Sequence, residues 1–75
     1  MHPKGYNRIA MTLSEHIKDK RRKYNLTQVE LAERAGVGLR FVRDLEQGKK
    51  TLQMDKVNAV LALFGEELGP IKIVE

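Results

Sequence analysis

The sequence predicts an all-α fold of about four short helices, with one short C-terminal strand that needs a partner outside the chain. Three observations predict it. Apolar residues recur at three-to-four spacing in four separate segments. Two of those segments open on a Thr with a Glu three residues later, Thr12 with Glu15 and Thr27 with Glu30. In that capping box each side chain takes up a backbone donor that the helix start leaves free. Glycines then stand where three segments stop, at Gly36, Gly48 and Gly65, the places where a helix most often turns left-handed.

The elements follow in chain order. Residues 1–11 have no clear period, and His2, Pro3, Gly5 and Asn7 read as an irregular arm, a frayed terminus before a functional one, in which Lys4 and Arg8 are candidates for a phosphate or a minor groove. The first helix runs from Thr12 to Tyr24. Its inner face carries Leu13, Ile17 and Tyr24, with Lys20 or Arg21 completing it. The run Lys20 to Lys23 complements the dipole of the last turn and is equally a candidate for phosphate. The second helix starts after Thr27, buries Leu31, Ala32 and Ala35, and ends at Gly36; Val37 plugs the turn. A third helix from about Gly38 to Gln47 buries Phe41, Val42 and Leu45. Two short helices joined by a glycine-containing turn of three to four residues are the helix-turn-helix signature. Asp55 opens the last helix, which runs to about Phe64 with Val57, Val60, Leu61 and Phe64 inside.

The tail has a different period. Ile71 and Ile73 alternate with Lys72 and Val74, and Pro70 confines the start of that strand to a sheet edge. A lone strand leaves its backbone groups unpaired, so it must pair with another chain. The simplest partner is the same strand of a second subunit, antiparallel across a two-fold axis. Leu68, Ile71, Ile73 and Val74 are the candidate dimerisation residues. The chain therefore divides into an irregular arm (1–11), a helix-turn-helix DNA-binding domain (12–65) and a dimerisation strand (66–75).

Composition narrows the function. Seventy-five residues make one small domain with a modest core, which a partner subunit would help to stabilise. Residues 1–50 carry 12 of the 14 Lys and Arg against 6 of the 10 acids, and residues 51–75 carry 2 against 4. A basic front suits a polyanion, and an acidic rear suits something else. There is no cysteine, the only serine is Ser14, and neither His2 nor His16 has a spaced companion for a metal. His16 reads as a surface residue. No catalytic residues, metal or cofactor are expected, and the chain does not read as an enzyme. No apolar run reaches membrane-spanning length and no signal-peptide pattern opens the chain, so the expectation is a cytoplasmic protein without a membrane partner.

The outer face of the third helix carries Gly38, Leu39, Arg40, Arg43 and Asp44. Arg40 and Arg43 are the candidate base readers, because a guanidinium bonds guanine O6 and N7 together. Leu39 suits a thymine methyl. Asp44 either accepts from cytosine or pairs with Arg40 at helical spacing. Thr27 and Gln28 at the start of the second helix, and the backbone near Gly48 and Lys49, are candidate phosphate contacts.

The runs LTQ-x-ELA-x-x-x-G from Leu26 and FVRDLEQGK from Phe41 resemble the Xre group of helix-turn-helix proteins, which includes the lambdoid repressors and the HipB-type antitoxins. The resemblance covers roughly Leu13 to Gly65. Two positions depart from it: Gly38, where Ser or Thr is more usual, and Lys50, where many relatives have Pro. The resemblance implies a lambda-repressor-like bundle, a phosphate contact by Gln28 and a structural ion pair between Arg21 and Glu46. It also implies that the C-terminal strand dimerises as in HipB-type antitoxins. The functions it implies are sequence-specific binding of double-stranded operator DNA as an inverted repeat by a homodimer, and repression of the chain's own operon alongside a HipA-like kinase toxin. A stand-alone or phage-type repressor without a toxin is the alternative, and a helical adaptor that binds only protein is a third reading. The adjacent reading frame separates the first two.

Overall fold

Local sequence signals account for each helix in the computed structural model, which describes residues 12–73. Helix α1 spans Leu13–Lys23, α2 Gln28–Ala35, α3 Leu39–Glu46 and α4 Met54–Ala62. The arm, with Lys4 and Arg8, and the dimerisation residue Val74 lie outside the described residues.

Both capping boxes form. The Thr12 hydroxyl accepts from the Glu15 N–H, and the Glu15 carboxylate accepts from the Thr12 N–H at 3.1 Å. Thr27 and Glu30 do the same at 3.0 and 2.8 Å. Helix α2 ends where Gly36 takes φ +73°, and the Val37 N–H reaches back to the Ala32 carbonyl at 3.0 Å. That bond closes the last turn and throws the chain into α3. Gly48 (φ +82°) ends α3 in the same way, with the Lys49 N–H on the Asp44 carbonyl at 3.0 Å. Between α1 and α2 the left-handed residue is Asn25 (φ +57°); asparagine tolerates that region better than other side chains.

The apolar stripes meet in one core: Ile17 from α1, Leu26 from the first turn, Leu31 and Ala32 from α2, Val42 and Leu45 from α3, and Val57, Val60 and Leu61 from α4. Helix α3 packs on both α1 and α2, and α4 packs on α2. Phe41 and Phe64 pack against the core from its rim, and the Phe64 ring meets Tyr24 edge-on at 5.0 Å.

Two boundaries differ from the sequence reading. The last helix starts at Met54 and stops at Ala62, because Leu63–Gly65 close as a turn with the Glu66 N–H on the Leu61 carbonyl at 3.0 Å. Residues 66–73 form no regular element, and no strand occurs among the described residues. A single chain supplies no second strand to take up the N–H and C=O groups of Ile71 and Ile73. Leu68 packs against the core of its own chain, and its N–H donates to Asn58 Oδ1 at 2.7 Å. Ile71 and Ile73 are 88% and 77% exposed.

Candidate nucleic-acid interface

Helix α3 divides cleanly by face. Val42, Leu45 and Glu46 are buried, while Arg40, Arg43 and Gln47 are exposed. At 100° per residue, positions 40, 43, 44 and 47 lie along one side. The apolar stripe thus fixes α3 on the core and turns both arginines outward. Gly38 caps the helix without a side-chain bond, and no acid occupies the first turn. An anion approaching that end meets no fixed negative charge there. Leu39 is half-buried and packs against the core, so only part of it remains for a base.

Asp44 does not pair with Arg40. It meets Lys49 instead, with Nζ 3.5 Å from Oδ2. The Gly48 turn folds the chain back over the end of α3 and brings Lys49 beside Asp44. Arg40 and Arg43 carry no ion pair within the described residues.

The phosphate candidates cluster at the start of α2. The Thr27 hydroxyl is taken by Glu30, and the Thr27 N–H, then that hydroxyl, hold the Glu30 carboxyl below the usual carboxylate range. The box satisfies the N–H of Glu30, and the Thr27 carbonyl accepts from Leu31. Those of Gln28 and Val29 are left without a partner among the described residues, as at any helix start.

The buried charge lies directly beneath. Glu46 is only 5% exposed. Its carboxylate accepts from Arg21 Nε at 2.6 Å and Nη2 at 3.1 Å, a two-point pairing. Arg21 Nη1 donates to the Leu26 carbonyl at 2.9 Å, so the guanidinium also ties down the turn before α2. A third donor completes the carboxylate: Gln28 Nε2 lies 3.1 Å from Glu46 Oε1.

Sequence reasoning did not find that third contact, nor Gln47 beside the two arginines on the outer face of α3. The spacing of Gln47 from Arg40 and Arg43 was the available signal. It also took His16 for a surface residue, whereas His16 is half-buried with Nε2 2.7 Å from Glu66 Oε1.

No helix among the described residues is long and apolar enough to cross a membrane. Over 45 residues the chain is 58% identical to the uncharacterized HTH-type transcriptional regulator y4mF of Sinorhizobium fredii, a match covering 60% of this chain and 59% of that protein. The chain thus spans about three fifths of the relative's length. Residues 17–71, which run from the buried Ile17 through both helices of the motif to the tail, match the helix-turn-helix family model, and the chain belongs to that Xre-like helix-turn-helix family.

Proposed function

We propose that this chain is a sequence-specific DNA-binding transcriptional repressor. It acts as a homodimer on an inverted-repeat operator, and it serves as antitoxin and autoregulator of a HipBA-like toxin–antitoxin operon. The observation that carries the DNA-binding part is the face of α3, where Arg40 and Arg43 stand exposed and, among the described residues, unpaired on a helix anchored by Val42 and Leu45. Family membership and the relative's printed name, a transcriptional regulator, support the same reading. Arg40 and Arg43 read bases, with Gly38, Leu39 and Asp44 beside them. Thr27, Gln28 and Lys49 contribute to the backbone contacts that set register. A two-fold dimer that seats one α3 in each of two successive major grooves requires half-sites about 34 Å apart.

Dimer formation rests on Ile71 and Ile73, two apolar side chains left in water on a segment of alternating pattern. The antitoxin part rests on that tail and on the acidic rear of the chain, including Asp55, Glu66 and Glu67, which suits a protein partner such as a HipA-like kinase. The second reading is a stand-alone repressor; the name of the relative speaks of regulation and of no toxin.

The test is binding to duplex DNA from upstream of the chain's own gene. Arg40→Ala and Arg43→Ala should each cost about 1–3 kcal/mol there and relax base preference, while Lys49→Ala should weaken all sequences alike and flatten the salt dependence. Wild-type affinity in both arginine variants would remove α3 as the reading helix. Recovery of no stable protein partner in a pull-down from the host, with operator footprinting intact, would favour the stand-alone repressor.

A further inference from the structure

We infer that Glu46, though sealed from solvent, is the positioning residue for the DNA-backbone contact: it orients the Gln28 amide toward a phosphate, while Arg21 cancels its charge. The inference rests on the DNA-binding reading and adds to it the device that sets one of its contacts.

The argument starts from the chemistry of the two groups. An ionised carboxylate only accepts hydrogen bonds, whereas a glutamine amide has an accepting oxygen and a nitrogen with two hydrogens. With Nε2 3.1 Å from Glu46 Oε1, the amide has one workable orientation. Turning it over would set Gln28 Oε1 against the carboxylate oxygen, two acceptors without a proton between them. One Nε2 hydrogen is thus committed to Glu46 and the other is held in a fixed direction at the helix start. Beside it lie the backbone N–H groups of Gln28 and Val29, which have no partner among the described residues. These three groups are donors, which suits a phosphodiester oxygen, and the Glu30 carboxylate at the same helix start is itself held on the Thr27 N–H.

A bare carboxylate close to a phosphate would repel it. Here the Glu46 side chain is 2% exposed, and the two-point guanidinium of Arg21 balances it. An approaching phosphate therefore meets the amide hydrogen over a neutral pair. The carboxylate itself cannot swing outward, because Arg21 holds both of its oxygens and is itself tied to the Leu26 carbonyl. A glutamine at this position without the carboxylate beneath it would rotate freely and lose rotamer entropy on each binding event.

The experiment compares Gln28→Ala, Glu46→Gln and the double variant on a duplex of arbitrary sequence at low salt, since a phosphate contact is indifferent to sequence. Folding of each variant is checked by circular dichroism at the same temperature. Gln28→Ala should weaken binding by about ten- to a hundredfold, the loss of one hydrogen bond to a charged group. Glu46→Gln should lose a similar factor, and the double variant should lose no more than either one. Independent, multiplicative losses would overturn the inference, because a purely structural Glu46 acts without regard to Gln28. A second readout needs no DNA. In the wild type one Gln28 side-chain amide proton should be displaced in its NMR shift and slow to exchange with water. In Glu46→Gln, or in Glu46→Asp, which draws the carboxylate back from the amide, if the former does not fold, it should move toward the shift of a free amide. A wild-type Gln28 amide that already looks free would overturn the inference. Failure of the wild type to bind any duplex would overturn the DNA-binding reading itself, whereas tight binding with independent losses would remove only the role of Glu46.

Discussion

His16 and Glu66, fifty residues apart in the chain, meet with Nε2 2.7 Å from Oε1. Lys20, one turn further along α1, reaches the other oxygen of the same carboxylate at 3.8 Å. Two residues later the Leu68 N–H is held by Asn58. These contacts tie the tail to α1 and α4 as far as Leu68. Each partner of the His16–Glu66 pair is about a third exposed (31% and 30%), so its worth to global stability is small, about 0–1 kcal/mol. Its effect should be local. Glu66→Ala should speed hydrogen exchange at the Leu68 amide while shifting the unfolding midpoint little. Unchanged exchange at Leu68 would mean that Asn58 alone holds the tail.

The Arg21–Glu46 pair should behave in the opposite way. Both side chains are nearly sealed, at 14% and 2% exposure. Removing one leaves the other charged and buried, at a cost of about 3–5 kcal/mol, a large share of what a domain of this size has. Arg21→Ala and Glu46→Ala should each lower the urea midpoint strongly, and the double variant should recover part of the loss. Strictly additive changes in a double-mutant cycle would show that the two side chains do not act as a pair.

Glu30 gives a pH signature for the start of α2. The Thr27 backbone N–H, then its hydroxyl, favour the ionised carboxylate and hold Glu30 below the usual glutamate range. Because the folded form binds its proton less readily than the unfolded chain, the contribution to stability is complete above the ordinary glutamate pKa and fades as pH falls through the lowered one. An NMR titration should place the Glu30 midpoint below that range, and Thr27→Ala, which keeps the N–H, should return it only part of the way. A midpoint at the ordinary value would mean that the box does not persist in solution.

The dimer proposal is tested by two truncations. Removing residues 70–75 leaves Leu68 on the core and takes away the exposed isoleucines, so sedimentation should find a folded monomer. Removing residues 68–75 should also lower stability, since Leu68 packs on the core within its own chain. A dimer that survives the shorter truncation would place the subunit contact elsewhere.

The sequence by itself determined the four helices, because their signals are local. The Thr12–Glu15 and Thr27–Glu30 boxes, the stop at Gly36 and the stripes of Leu31 and Val42 each involve residues within a turn or two, and spacing reports such neighbours faithfully. The outward face of Arg40 and Arg43 follows from the same periodicity. The end of the last helix was less legible, because Phe64 continues the apolar stripe past Ala62 into a turn that only its packing against Tyr24 and the core explains. Tertiary structure alone decided the partners of Gln28, His16 and Asp44. Gln28 meets Glu46 across 18 residues, His16 meets Glu66 across 50, and Asp44 takes Lys49 over Arg40. The apolar stripes orient the helices, but a polar side chain on a rim has several acceptors within reach. Which one it bonds depends on how the packed helices and the turns after Gly48 and Gly65 bring distant segments together, and no spacing in the chain encodes that distance.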